Sequence, residues 1–153
     1  MASIDFFPKV LPSNLQFKHD RFSQSYKGVL RGLHYQMEPY AQAKLVRVTK
    51  GKVLDVAVDI RKNSPTYGEH VTIELTEENK TMFYIPPGFA HGFVTLEDHT
   101  IFSYKCTDYY HPESEGGVQW NSPSLNIPWG IENPVLSAKD ELLPDFSVFQ
   151  SPF

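Results

Sequence analysis

A two-residue periodicity in the segment KVLDVAVDI, residues 52–60, constrains the fold more than any other feature of this sequence. Successive side chains of a β-strand point to opposite faces, whereas a helix repeats its apolar positions every three or four residues. The side chains of this segment fall on two faces: Leu54, Val56 and Val58 on the first, and Val53, Asp55, Ala57 and Asp59 on the second. The segment therefore predicts a strand.

Further segments with strand-like composition follow at short intervals. They span residues 44–49, 70–75, 81–85, 91–96 and 100–109, and Pro, Gly, Asn and Asp fill most of the gaps between them. The pair Lys50-Gly51 separates two of these segments and predicts a tight hairpin turn. Many short strands at such spacing indicate a sandwich or a barrel, and the 14% aromatic content suits its core. We expect an all-β fold, a β-barrel of the jelly-roll kind.

One short helix is predicted near the end of the chain, in LSAKDELLP. Ser137 can cap the first turn of this helix, since a serine oxygen accepts a hydrogen bond from an otherwise unpaired backbone N–H there. Pro144 would end the helix. The first residues, up to about residue 22, have weak periodicity and are interpreted as an N-terminal arm. With no repeats or linker, residues 1–153 are interpreted as one domain.

Composition argues against several classes of partner. The formal net charge is -4, so no overall positive field attracts nucleic acid or an anionic membrane. An anionic substrate would need a local cluster of Lys and Arg. No apolar run is long enough to span a bilayer, and the N-terminus lacks the features of a signal peptide. The single cysteine, Cys106, cannot form an internal disulfide, so a cytoplasmic location is expected.

Four polar residues on or beside apolar strands form a candidate set for proton abstraction next to a carbonyl: His34, Lys44, Tyr104 and Asp140. Histidine titrates near neutral pH, and a carboxylate can orient it and support its protonated form. A lysine ammonium can stabilise the enolate oxygen, and a tyrosine can return a proton from the opposite face. Each also has a structural interpretation, as a hydrogen-bonded histidine, a solvated strand end, a core aromatic and a helix-capping carboxylate.

The segments that carry these residues closely resemble the dTDP-4-dehydrorhamnose 3,5-epimerase family of cupins. The matching stretches cover nearly everything from Val29 to Asp140, in the family's order: VLRGLHYQ, AQAKLVRV, GKVLDVAVDIRKNSPTYG, YIPPGFAHGFVTL, YKCTDYYHPESEGGVQWN and LSAKD. The resemblance implies a cupin jelly-roll barrel, a homodimer and no metal or organic cofactor. It also implies a nucleotide-linked 4-keto-6-deoxy sugar as substrate, inverted at C3, C5 or both.

The resemblance assigns roles to individual residues. His34 matches the general base, Asp140 its partner, Tyr104 the opposing acid, and Lys44 the lysine near the C4 oxygen. Four further positions match residues that line the substrate pocket: Arg31, His91, Glu115 and Tyr109. Arg47 and Asp55 also match family positions, and they could equally form a structural ion pair.

The N-terminal region departs from the family pattern. An Asp-x-Arg-Gly-Phe-Phe-x-Glu motif, which helps to bind substrate across the dimer, is reduced here to Asp5-Phe6-Phe7, with Lys9 in place of the glutamate. A Gln-Asp-Asn triplet that helps to hold the substrate is His19-Asp20-Arg21 in this chain. These differences predict an altered nucleotide preference, a shifted substrate or inversion at only one carbon.

Two other functions remain open at the level of sequence. A metal-dependent cupin often uses a His-x-His pair, but here the pair is His34-Tyr35-Gln36, which lacks the second ligand. A sugar-binding cupin without catalytic activity would need no acid and base, and the retention of all four candidate residues argues against it. Metal analysis and solvent deuterium exchange distinguish these possibilities.

Overall fold

A computed structural model describes residues 11–153. The altered motif around Asp5-Phe6-Phe7 and Lys9 lies outside the described residues. Nine strands account for most of the regular structure: β1 (His19–Ser25), β2 (Leu30–Gln36), β3 (Lys44–Lys50), β4 (Lys52–Asp59), β5 (His70–Thr76), β6 (Phe83–Ile85), β7 (Phe89–Thr95), β8 (Thr100–Cys106) and β9 (Glu115–Gly117). The α-helix α1 (Ala138–Glu141) and two 3₁₀ turns (Pro112–Ser114 and Phe146–Val148) complete the regular elements.

The strands form two antiparallel sheets. One has four strands in the order β1-β8-β3-β6, and the other has five in the order β5-β4-β7-β2-β9. The predicted all-β cupin jelly-roll fold with a short C-terminal helix is confirmed. Within residues 11–153, no helix is both long and apolar enough to cross a membrane.

Both faces of β4 are buried, as its alternating sequence requires. Val53 and Ala57 pack between the two sheets against residues such as Phe93 and Phe102. Val56 and Val58 face the other way and pack against the segment after β9, including Trp129. The C-terminal part of the chain therefore covers the outer face of the five-stranded sheet, while the inner face packs against the four-stranded sheet.

The hairpin predicted at Lys50-Gly51 is wrong. β3 pairs with β6 and β8, whereas β4 pairs with β5 and β7, so this connection passes from one sheet to the other. Gly51 has a φ of +80°, a conformation that glycine adopts without steric cost. The local sequence correctly indicated a tight turn, but it contained no information about the partner of either strand.

The first strand begins within the segment, up to about residue 22, that the sequence indicated as an N-terminal arm. β1 starts at His19 and pairs along its whole length with β8, in a register that places Arg21 opposite Tyr104. Its sequence, HDRFSQS, has few apolar residues because β1 is an edge strand with largely exposed side chains. The altered triplet His19-Asp20-Arg21 therefore belongs to the barrel.

Candidate active site

A cavity of about 580 Å³ opens between the two sheets. Seven of the eight residues predicted for the site line it: Arg31, His34, Lys44, His91, Tyr104, Glu115 and Asp140. These residues come from five different strands and from α1. Tyr109 is not among the lining residues and is largely exposed, whereas its neighbour Tyr110 lines the cavity. A substrate contact by Tyr109 stays a prediction.

An irregularity in β2 explains why both Arg31 and His34 face this cavity. In a regular strand, residues three apart point to opposite faces. Here Arg31 pairs with Phe93 and His34 with His91, so β2 holds one more residue than the facing part of β7. Such a bulge changes the direction of the side chains that follow it. It therefore brings the guanidinium and the imidazole to the same face of the sheet.

Two glycines make the bulge possible. Gly32 has a φ of +117°, and a Cβ atom built there would lie 2.6 Å from the backbone of His91 and Gly92. A Cβ atom on Gly92 would in turn lie 2.6 Å from the carbonyl oxygen of Arg31. Neither position has room for a side chain, and that close approach of β2 and β7 fixes the orientation of His34.

His34 and Asp140 form a hydrogen-bonded pair. The His34 Nε2 and Asp140 Oδ1 atoms are 2.5 Å apart, and Asp140 is only 2% exposed. Burial opposes ionisation of this carboxyl, but the hydrogen bond and charge of His34 hold its pKa below the ordinary value. The ionised carboxylate accepts a hydrogen bond from the Nε2–H group of His34, and the Nδ1 atom of His34 is therefore available as a base.

Helix α1 holds Asp140 in place. Ser137 caps the helix, and its side chain accepts a hydrogen bond from the Asp140 backbone N–H at 3.2 Å. The predicted serine cap is confirmed. A single turn of helix thus fixes the carboxylate that orients a histidine 106 residues earlier in the chain.

Tyr104 lines the cavity from the opposite sheet. It lies on β8 in the four-stranded sheet, whereas His34 lies on β2 in the five-stranded sheet. Burial raises the pKa of the Tyr104 phenol, and the nearby Arg21 guanidinium opposes that shift. The hydroxyl is therefore protonated at neutral pH, as a proton donor must be. A base on one wall and an acid on the other can act on opposite faces of one ligand.

Lys44 lies beside a buried histidine–carboxylate pair. His91 Nε2 is 2.9 Å from Asp55 Oδ1 and 3.0 Å from Asp55 Oδ2, and Asp55 is fully buried. Burial lowers the pKa of His91 and raises that of Asp55. Burial also lowers the pKa of the Lys44 amine, while the carboxylates of Glu115 and Asp55 oppose this shift. An ammonium in such a setting is poised to stabilise a negative oxygen.

The partner of Asp55 differs from one that the sequence left open. Arg47 is exposed on β3, and Asp55 is hydrogen-bonded to His91. The hypothesis of an Arg47–Asp55 pair is wrong, because the Arg47 side chain is exposed whereas Asp55 is fully buried.

Two residues that the sequence analysis did not select complete the wall around Glu115. Lys139 Nζ donates to Glu115 Oε2 at 2.6 Å, and the Tyr110 hydroxyl donates to the same oxygen at 2.7 Å. The other oxygen, Oε1, lies 3.8 Å from His34 Nδ1. The tandem Tyr109-Tyr110 did not reveal which ring faces the cavity, and Lys139 carried no motif of its own beyond its position next to Asp140.

No metal centre is evident in the part of the chain that the structure describes. Residues 11–153 contain no group of three or more His, Cys, Asp or Glu side chains arranged to hold a metal ion. His34, the histidine of the incomplete His-x-His pair, and the nearby cavity residue His91 are instead each paired with a carboxylate. The prediction that the protein needs no cofactor stays a prediction.

Comparison with known proteins agrees with this geometry. The family model described as dTDP-4-dehydrorhamnose 3,5-epimerase matches residues 5–147. The chain belongs to the dTDP-4-dehydrorhamnose 3,5-epimerase family. The family's enzyme from Shigella flexneri is 52% identical over 134 residues, which cover 88% of this chain and 74% of that protein.

Solved structures of this epimerase family superpose closely on this chain. The dTDP-6-deoxy-D-glucose-3,5-epimerase from Legionella pneumophila, in complex with dTDP-4-keto-L-rhamnose, has a TM-score of 0.91 and 48% identity. That comparison covers 97% of this chain and 79% of the other. A 3'-monoepimerase from Streptomyces bikiniensis, in complex with dTDP-quinovose, has a TM-score of 0.81 and 35% identity, covering 86% and 67%.

Proposed function

We propose that this protein is an isomerase that epimerises a nucleoside-diphosphate 4-keto-6-deoxyhexose, with dTDP-4-dehydro-6-deoxyglucose as the first candidate. The observation that carries the proposal is the His34–Asp140 pair facing Tyr104 across one cavity, with Lys44 on its wall. The family to which the chain belongs and the ligands named for its relatives support the same substrate class. The product would enter deoxysugar synthesis of the rhamnose type, for a surface polysaccharide.

The reaction begins with removal of a proton from a carbon next to the C4 ketone. His34 takes this proton at Nδ1, and the electron pair of the broken C–H bond moves to the C4 oxygen as an enolate forms. Asp140 stabilises the resulting imidazolium, and the Lys44 ammonium stabilises the enolate oxygen. Tyr104 then donates its phenolic proton to the carbon from the opposite face, which inverts the stereocentre. Proton exchange with solvent restores both groups.

Proton NMR of dTDP-4-dehydro-6-deoxyglucose with the protein in deuterated water tests this function. Replacement of both the C3 and C5 protons by deuterium, with formation of the inverted product, is the expected result. Replacement at one carbon alone would identify a monoepimerase, the activity named for the relative from Streptomyces bikiniensis. Substrate binding without any exchange would refute the enzymatic function in favour of a sugar-binding cupin.

The expected assembly is a homodimer in the cytoplasm, with no nucleic acid or membrane partner. The unpaired thiol of Cys106 suits a reducing compartment. The edge strand β1 carries the exposed Phe22 and lines the cavity, so a second copy packed there would also shield the site. The mass of one chain is 17.5 kDa, and light scattering at micromolar concentration should give twice that mass. A monomeric mass would contradict this expectation.

A further inference from the structure

The cavity concentrates positive charge in a protein with a formal net charge of -4. Four basic side chains line it: Arg21, Arg31, Lys44 and Lys139. Lys139 is engaged by Glu115, and Lys44 lies against the buried Asp55–His91 pair. Within residues 11–153, neither arginine has a carboxylate within 4.0 Å, since the ion pairs there involve other side chains. Two guanidinium groups are thus available to an anionic ligand.

Arg21 is held in an orientation that presents its guanidinium to the cavity. Its Cζ atom lies 5.3 Å from the centre of the Tyr110 ring, within the range of a cation–π interaction. Tyr110 is itself fixed, because its hydroxyl donates to Glu115. Stacking on the ring restrains the arginine while leaving its N–H donors free, and these can form paired hydrogen bonds to phosphate oxygens.

The position of Arg21 corresponds to the part of the cavity where a diphosphate would lie. The sugar ring must reach the groups that transfer protons, and of these Asp140, Tyr104 and Lys44 are buried or partly buried. The diphosphate is attached at the other end of the ring, at C1, and therefore extends toward solvent. Arg21 and Arg31 are exposed, have no carboxylate partner among residues 11–153 and line the cavity, so they lie where it opens to solvent.

We propose that Arg21 is a specificity-determining residue that binds the diphosphate of the nucleotide sugar together with Arg31. This inference rests on the proposed function, and it concerns a residue that stands where the family has the asparagine of a Gln-Asp-Asn triplet. An uncharged amide forms weaker hydrogen bonds to phosphate than a guanidinium does. Arg21 therefore offers phosphate oxygens a charge-assisted contact from the edge strand β1.

The matched variants are Arg21→Gln and Lys105→Gln. Lys105 lies on β8, in the same strand pair, and donates to Asp20 at 2.8 Å, but it does not line the cavity. Calorimetric titration should show that Arg21→Gln lowers the affinity for dTDP about tenfold or more. The affinity of Lys105→Gln should stay within a factor of about two of wild type. Arg21→Lys, which keeps the charge, should have an affinity between those of Arg21→Gln and wild type. Thymidine, which lacks phosphate, should bind wild type and Arg21→Gln equally. The Arg21→Gln variant should also raise KM more than it lowers kcat.

Wild-type affinity for dTDP in Arg21→Gln would overturn the proposal. A fall in kcat with unchanged dTDP affinity would also overturn the proposal. It would indicate that Arg21 acts on Tyr104, its cross-strand neighbour on β8. Deuterium exchange by the wild-type protein is measured in parallel. If wild type exchanges the sugar protons while Arg21→Gln binds dTDP normally, only the role of Arg21 fails. If wild type neither binds dTDP nor exchanges protons, the proposed function fails with it.

Discussion

At the scale of single residues, the site is a set of charged groups whose neighbours determine their protonation. Asp140 remains ionised despite burial because His34 donates to it, and Tyr104 remains protonated because burial disfavours its anion. The sequence predicted these residue types and the resemblance predicted their roles. The sequence did not show whether Tyr109 or Tyr110 lines the cavity. Both residues lie in an irregular segment after β8, where no strand periodicity indicates which ring points inward.

We expect Asp140→Asn to lower kcat by about 10²-fold or more while the protein stays folded. The amide cannot stabilise the imidazolium that forms when His34 accepts a proton, since it carries no charge. The turnover of dTDP-4-dehydro-6-deoxyglucose provides the measurement. Asp145→Asn is the matched control, because Asp145 caps the 3₁₀ turn Phe146–Val148 outside the cavity and should not affect turnover. Turnover by Asp140→Asn within threefold of wild type would refute the role of the pair.

At the scale of elements, periodicity predicted most strands but not their irregularities. The alternation in β4 was correctly interpreted because both of its faces are buried in a regular way. The bulge in β2 was not predictable, since it depends on the contact between Gly32 and Gly92, which are 60 positions apart in sequence. β1 was missed because an exposed edge strand needs few apolar residues, and it was recognised only through its pairing with β8.

We predict that Gly92→Ala displaces β2 from β7, because the new Cβ atom would lie 2.6 Å from the Arg31 carbonyl oxygen and 3.1 Å from the Leu33 side chain. Overpacking of this kind lowers the free energy of unfolding by about 1–3 kcal/mol. Because the displacement also moves His34, the variant should lose most of the wild-type turnover. Urea denaturation and a turnover assay measure the two effects. Gly130→Ala places no atom within 4 Å of the new Cβ; the φ of +72° at Gly130 makes this variant less stable as well, but it should keep full activity because Gly130 does not line the cavity. Equal activity in both variants would contradict the role of the bulge.

A second element-scale prediction concerns the segment after β4. Asp59 is 2% exposed and accepts hydrogen bonds from Arg61, Ser64 and Thr66. Burial opposes its ionisation, but these hydrogen bonds dominate and hold its pKa far below the ordinary value. We expect Asp59→Asn to lower the free energy of unfolding at pH 7 by about 2–4 kcal/mol, and Glu78→Gln, on an exposed turn, to leave it nearly unchanged.

The pH dependence of this stabilisation follows from the direction of the shift. Because the pKa of Asp59 is lower in the folded than in the unfolded protein, its contribution is fully present above the unfolded value of about 4. This stabilisation is lost as the pH falls below about 4 and through the pKa that Asp59 has in the folded protein. The stability difference between wild type and Asp59→Asn should therefore narrow below pH 4 in urea titrations. A difference that is constant from pH 7 to pH 3 would refute this assignment.

At the scale of the whole molecule, the two sheets divide the chemistry between them. The five-stranded sheet carries His34 and Glu115, the four-stranded sheet carries Lys44 and Tyr104, and α1 supplies Asp140 from the end of the chain. Strand patterns alone could not predict this convergence, because it depends on which strands pair and on the crossover at Gly51. The resemblance supplied it in advance, since the family's residues recur here in the same order.

In the proposed reaction, His34 removes a proton from one face of the sugar and Tyr104 returns one to the other. The most direct test compares His34→Asn and Tyr104→Phe with wild type by proton NMR in deuterated water, monitoring deuterium uptake and stereochemical inversion separately. We predict that His34→Asn loses both, whereas Tyr104→Phe still exchanges protons through His34 but forms little inverted product. Undiminished exchange in His34→Asn, or normal inversion in Tyr104→Phe, would contradict the account.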